Sequence, residues 1–181
     1  YSYESPHVRM LRCYNGQLYG GGAVGGNRRV VNPGDIVGIL LDADAKTLSY
    51  SVNGASQGVC FRDVDGTWHG AIALYGSGRQ ASLIRTCTGS AALDAFGVVR
   101  ALEGEDVEGA AFDLACSSPE GLDFSDAGKS VASTATSNTL ATLQLGFAPG
   151  VGVGIVEFKL VTDRDSDECT AFGVTTKPVR T

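Results

Sequence analysis

Asn32-Pro33-Gly34-Asp35-Ile36-Val37-Gly38-Ile39-Leu40-Leu41-Asp42 leads, after a short turn, into Lys46-Thr47-Leu48-Ser49-Tyr50-Ser51-Val52-Asn53-Gly54. Pro33-Gly34 breaks the chain ahead of Asp35. Residues 36–41 are continuously apolar and of strand length, as for a strand buried on both faces. Residues 47–52 alternate, with Leu48, Tyr50 and Val52 on one side and Thr47, Ser49 and Ser51 on the other. Asn53-Gly54 is a strong hairpin signal and feeds a further strand at 58–61.

The same pattern extends in both directions. Residues 8–14 read as a strand, and Asn15-Gly16 turns it into 17–19. A glycine-rich loop follows over 20–26, and strands are expected at 71–75 and 80–85. Further on, 122–124 and 129–133 flank the turn tripeptide Asp126-Ala127-Gly128, and 142–147 is another strand. Val156, Phe158 and Leu160 alternate with Glu157 and Lys159 as in a half-exposed strand, and 170–175 closes the pattern before Pro178. Residues 87–111 differ: Gly89-Ser90 is linker-like, Leu93, Phe96 and Val99 fall on one helical face that Gly97 weakens, and 104–109 are acidic and open. Short strands at this spacing, with turn residues between them, predict an all-β sandwich of two antiparallel sheets joined by a connector with one short, helical element.

A chain of 181 residues is one domain or at most two small ones, and can bury roughly 70% of its unfolded surface. The net charge of −6 argues against a phosphate-backbone binder and against a polybasic membrane anchor. No apolar stretch is long enough to span a bilayer. The start at Tyr1, without Met, reads as an excised or processed piece. The five cysteines, Cys13, Cys60, Cys87, Cys116 and Cys169, form no CxxC pair. They read as reduced core thiols of an intracellular protein, cytoplasmic or nuclear.

Several motifs match by letter and fail by context. Gly20, Gly22 and Gly25 satisfy GxGxxG, but no helical pattern follows to present its N-terminus to a pyrophosphate. Gly128-Lys129-Ser130 ends like a phosphate loop, but Asp123 stands where its first glycine belongs. Asp163, Asp165 and Asp167 resemble a calcium loop, but Glu168 and Val174 stand where Gly and Glu are required. The two histidines, His7 and His69, join no cluster with ligand spacing, so neither a metal nor a cofactor is expected. Gly54-Ala55-Ser56-Gln57-Gly58 satisfies GxSxG, with Asp63 and His69 nearby, but it lies at a strand-strand turn rather than on a nucleophile elbow.

The opening stretch resembles the "GDxIGxxLD" segment of SPRY domains. Residues 46–54 are similar to that family's "xTLSFxxNG", Gly58-Val59-Cys60-Phe61 to "GVAF", and Ala71-Ile72-Ala73-Leu74-Tyr75 to "PAVSLY". In the family these segments form the C-terminal half. The N-terminal half resembles the other end of this chain. There Leu122 to Lys129 is similar to "LxLSxDGK", Leu145-Gly146-Phe147 to "xxGFxSG", residues 155–159 to "YWEVxV", and Phe172-Gly173-Val174 to "xIGV". Val156 replaces the usual core Trp, so compensating bulk is expected elsewhere. Long ubiquitin-ligase chains carry SPRY domains with a similar "KPV…YNGxLY" passage.

The halves therefore stand in reversed order. Residues 1–86 correspond to the family's C-terminal half, 87–111 to a connector, and 112–181 to its N-terminal half. This is the pattern of a circularly permuted single domain. The alternative is a fragment cut across tandem domains that pairs by swapping between chains. The resemblance implies a SPRY-type, concanavalin-like β-sandwich and a non-catalytic module that recognises a protein surface or short peptide segment, with no nucleic-acid or membrane partner. A ubiquitin-ligase-like parent and a monomeric state are expected, with a swapped dimer as the other possibility. The implied surface gathers Tyr1 and Tyr3 with Lys177, Pro178 and Arg180, aromatic area beside charged donors. The loop 133–138, with Ser133 and Thr136, corresponds to another binding loop of the family, and Trp68 is a further candidate anchor. Two other functions stay open: a carbohydrate-binding sandwich, and a serine hydrolase acting through Ser56.

Overall fold

Among the described residues twelve strands form two antiparallel sheets packed face to face. The computed structural model of the chain describes residues 3–89, 109–163 and 170–176. In chain order the strands are β1 (Val8–Arg12), β2 (Leu18–Tyr19), β3 (Ile36–Asp42), β4 (Thr47–Val52), β5 (Ala55–Arg62), β6 (Trp68–Tyr75) and β7 (Gln80–Thr88). They continue with β8 (Leu122–Ser125), β9 (Ser130–Ser133), β10 (Asn138–Phe147), β11 (Val153–Thr162) and β12 (Ala171–Thr175). A single 3-10 turn, Asp126–Gly128, is the helical element among the described residues. The chain has the all-β architecture of two packed antiparallel sheets that the sequence predicts. Among the described residues no helix is long and apolar enough to cross a membrane.

One sheet runs β10-β6-β12-β1-β2 and the other β5-β4-β3-β11-β7-β9-β8. Both ends of the sequence contribute to each sheet. Strand β12 lies between β6 and β1, and β11 lies between β3 and β7. Neither half of the chain could close either sheet alone. Beyond the β1–β12 pair, where Val8 faces Thr175, the Thr176 N–H donates to the His7 carbonyl at 3.0 Å. His7 and Thr176 therefore lie side by side at the end of this pair.

The inter-sheet space is filled by the inward alternates that the sequence marks. Leu48, Tyr50 and Val52 of β4 and Val37, Ile39 and Leu41 of β3 all lie in the main core. Phe112 stacks on Phe158 and Phe158 on Phe172, with centroids 6.1 and 5.6 Å apart. Val156 is buried within this core. The Tyr50 hydroxyl lies within hydrogen-bond reach of the Arg9 carbonyl (3.1 Å) and the Phe172 carbonyl (3.2 Å), tying one sheet to the other.

Some boundaries and faces differ from the sequence expectation. The β10 strand starts at Asn138, four positions before the expected 142, and β6 starts at Trp68 rather than at 71. Strand β7 continues through Cys87 and Thr88, which were assigned to the connector. The outer faces are less exposed than alternation implies. Ser49 and Ser51 are buried, and Glu157 is buried in an ion pair with Arg85 (Nε to Oε2, 2.6 Å). The expected helical face of Leu93, Phe96 and Val99 lies outside the described residues.

Candidate functional site

Strand β1 places Arg9 and Leu11 toward the other sheet and Met10 and Arg12 on the outer face. The β1–β2 hairpin pairs Met10 with Tyr19 and Leu11 with Leu18, so Tyr19 joins Met10 outside. Tyr3 lies on the same patch. Its ring centroid is 4.6 Å from that of Tyr19 at an interplanar angle of 35°. The Arg12 guanidinium carbon is 5.9 Å from the Tyr3 ring, within cation–π range, and Arg12 Nη1 reaches the Tyr19 hydroxyl at 3.4 Å. The Tyr19 hydroxyl donates to Gln17 Oε1 at 3.1 Å. Beneath the rings lies an apolar bed that includes Val8, Met10, Ala71 and Leu140. The main chain is engaged too: Gly22 N–H donates to the Tyr3 carbonyl (3.2 Å) and Gly21 N–H to the Ser5 carbonyl (3.1 Å). Aromatic faces, a guanidinium and aligned amide donors are the chemistry that holds an extended peptide.

Tyr3, a candidate anchor, is half-buried against Tyr19. Thr136 is exposed, in the loop 134–137 beside β10. That edge is opposite to β2, so the loop and Tyr19 are separated by four interstrand spacings of about 4.8 Å, roughly 19 Å. Ser133 is 3% exposed and works as a tie: its hydroxyl donates to the Gly76 carbonyl, and Arg79 N–H donates to its oxygen at 3.4 Å. Trp68 is a correction to the loop reading. It begins β6 and is 3% exposed, and its indole N–H donates to the Asp65 carbonyl at 2.8 Å. A side chain so enclosed offers no face to a partner. Tyr1, Lys177, Pro178 and Arg180 lie outside the described residues. Sequence reasoning missed Tyr19, Arg12 and Gln17. The hairpin register was the available signal, because pairing Leu11 with Leu18 puts Met10, Arg12 and Tyr19 together outside.

The motifs set aside in the sequence sit in structural roles. The glycines 20–26 form a loop that continues without helix into 27–31. Ser56 Oγ accepts the Gly58 N–H at 3.1 Å, and Ser56 lies on β5, in the sheet opposite His69. His69 Nδ1 is 3.2 Å from the Leu143 carbonyl instead. Asp163 forms an ion pair with the buried Arg79 at 2.9 Å, while Asp165 and Asp167 lie outside the described residues. Among the described residues no three His, Cys, Asp or Glu gather as a metal site.

Electrostatics mark the opposite end of β1. Burial holds the Arg9 guanidinium below its usual pKa, against a smaller opposing effect of Tyr50. Its guanidinium carbon lies 5.2 Å from the Trp68 ring and 5.9 Å from Phe61, and Nη1 donates to the Pro6 and Val8 carbonyls. Burial also pushes the Cys60 thiol up, against a hydrogen bond from Arg28. The exposed Asp65 carboxyl is held low, chiefly by a hydrogen bond from Lys46 at 3.0 Å.

Residues 4–87, which contain β1 through β6 and nearly all of β7, match the family model of the SPRY domain. No curated protein matches the chain. SPRY domains are a family of non-catalytic interaction modules.

Proposed function

We propose that this chain is a protein-interaction module that takes a peptide or protein surface on the outer edge of its five-stranded sheet. The SPRY match over 4–87 is the observation that carries the reading. The choice of surface rests on the Tyr3–Tyr19–Arg12 cluster and the two glycine amides beside it. Tyr1, Lys177, Pro178 and Arg180 belong to the proposed surface through their closeness in sequence to Tyr3 and to Thr176, which bonds His7. Thr136 and its loop form a second contact region for a partner wide enough to cross the sheet. Tyrosine and arginine in such a patch are typical carriers of binding energy. The ubiquitin-ligase-like parent rests on the Lys177-Pro178-Val179 and Tyr14-to-Tyr19 passages alone. The intracellular placement rests on the free thiols of Cys60 and Cys87.

The reversed order of the halves is part of the proposal. Residues 112–181 followed by 1–86 reproduce the family order in one permuted domain, with 87–111 as the new connector. The β12–β1 pair supports this. In family order these strands are consecutive, and here they pair antiparallel up to the Thr176–His7 hydrogen bond.

Affinity capture from a lysate of the source cells tests the module, comparing the wild-type chain with an Arg12→Ala/Tyr19→Ala variant that keeps the wild-type circular dichroism. Loss of one captured protein by about tenfold or more, corresponding to roughly 1.4 kcal/mol, is expected. An identical set of captured proteins removes this edge as the binding surface.

A further inference from the structure

The segment 3–5 sits on the sheet edge as a bound peptide would. Its carbonyls at Tyr3 and Ser5 take hydrogen bonds from successive amides of the glycine loop, Gly22 and Gly21. Its one aromatic side chain enters a socket made by the Tyr19 ring, the Arg12 guanidinium and the apolar bed around Met10. Main-chain bonds for affinity and a side-chain socket for selection are the two parts of extended-peptide recognition. Both glycine donors have positive φ, +78° at Gly21 and +104° at Gly22, which turns their amides toward the segment. A Cβ at Gly22 would meet nothing within 4 Å, so the loop is open on that side.

We propose that the Tyr19–Arg12 socket is a docking site for an extended peptide bearing an aromatic side chain, and that the chain's own residues 3–5 occupy it until such a peptide displaces them. The inference rests on the interaction-module reading and names the partner's chemistry and the regulation of that surface. Tyr3 is then an internal competitor rather than an anchor. Its occupancy raises the apparent dissociation constant of a partner by the reciprocal of the open fraction. The two roles predict opposite signs. An anchor lost by Tyr3→Ala weakens binding, whereas a competitor lost by Tyr3→Ala strengthens it.

The test uses the full chain and a fluorescent synthetic peptide copying residues 1–7, followed by anisotropy. The Tyr3→Ala chain should bind the copy at least tenfold more tightly than the wild-type chain. Adding Tyr19→Ala should abolish that gain, and a copy carrying Tyr3→Ala should bind at least tenfold more weakly. A Tyr3→Phe chain, which keeps the stacked ring, should behave as wild type. Equal affinity of the wild-type and Tyr3→Ala chains, a gain that survives Tyr19→Ala, or no binding to a folded Tyr3→Ala chain each overturns the proposal. Should Tyr3→Ala fail to fold, the wild-type chain decides: excess copy must shift the chain's own Tyr3, Glu4 and Ser5 amide resonances as they leave the socket, and unmoved resonances overturn the proposal. The outcomes separate from those of the capture experiment. A copy that binds as expected while capture is unchanged removes this edge as the surface for the captured proteins and leaves the socket's affinity for the peptide. A captured protein lost from the Arg12→Ala/Tyr19→Ala variant, with no response to the copy, sinks the socket and leaves the module.

Discussion

Trp68 closes the end of the sandwich at which β6 begins, and the arginine above it explains why. Arg9 is a cation drawn partly out of water, and its charge is met by the faces of Trp68 and Phe61 and by the carbonyls of Pro6 and Val8. Removing the indole takes away core volume and one of the surfaces on which the guanidinium rests. Trp68→Ala should therefore lower the unfolding free energy by about 3–5 kcal/mol, read as a lower urea midpoint at unchanged m-value. At low temperature, where the variant stays folded, its affinity for the residue 1–7 copy should match that of wild type. A loss of affinity without loss of stability would return Trp68 to the binding surface. The sequence was misleading here for a definite reason. Gly66 and Gly70 bracket Trp68 and read as a loop. Gly70 serves packing instead: a Cβ there would lie 2.8 Å from Leu143 Cδ1 and 3.4 Å from Val156 Cγ2. Ser133 misled in the same way, because residue type does not distinguish a side chain that engages a partner from one that engages its own chain.

At the scale of the element, β12 is the strand with least tolerance. It is central in the five-stranded sheet, and Gly173 stands where β1 approaches most closely. A Cβ at Gly173 would lie 1.9 Å from the Arg9 carbonyl oxygen and 2.8 Å from Met10 Sδ. Backbone cannot yield there without breaking the β1–β12 ladder. Gly173→Ala should cost about 3 kcal/mol or more, or prevent folding, by calorimetry or urea titration. Gly150→Ala is the control. Its φ is +86° and nothing lies within 4 Å of an added Cβ, so it should cost only about 1–2 kcal/mol, the strain of a left-handed residue. Equal costs at the two sites would remove close approach as the reason for Gly173. Strands β3 and β4 were legible because apolar run, alternation and the Asn53-Gly54 turn agree. The start of β10 was not, since Asn138 and Thr139 carry no apolar signal and Thr139 enters the sheet by bonding its hydroxyl to the Leu74 carbonyl at 3.0 Å. Alternation also separates two faces without telling which is covered. Ser49, Ser51 and Glu157 alternate as outward residues and are nonetheless buried.

For the whole molecule, the interleaving of β11 and β12 among strands from the first half makes the two halves interdependent. Neither can present the Tyr19–Arg12 edge unaided, because β1 needs β12 beside it and β12 needs β6. The motif order in the sequence made the permuted reading available, but only pairing could show that Val8 faces Thr175 and that His7 meets Thr176. The junction of a chain restored to family order would span the eleven residues 177–181 and 1–6, an ordinary hairpin loop with a closure cost of about 2 kcal/mol. A chain beginning at residue 109, running to 181 and continuing directly through 1–89 should therefore fold to the same sandwich. Its near-ultraviolet circular dichroism should overlay that of the original order, and sedimentation should give a monomer for both. A restored chain that is monomeric while the original order is dimeric at the same concentration would favour tandem domains swapping halves. A restored chain that does not fold would sink the permuted-domain reading, since the same strands would then fail to assemble in the order from which permutation derives them.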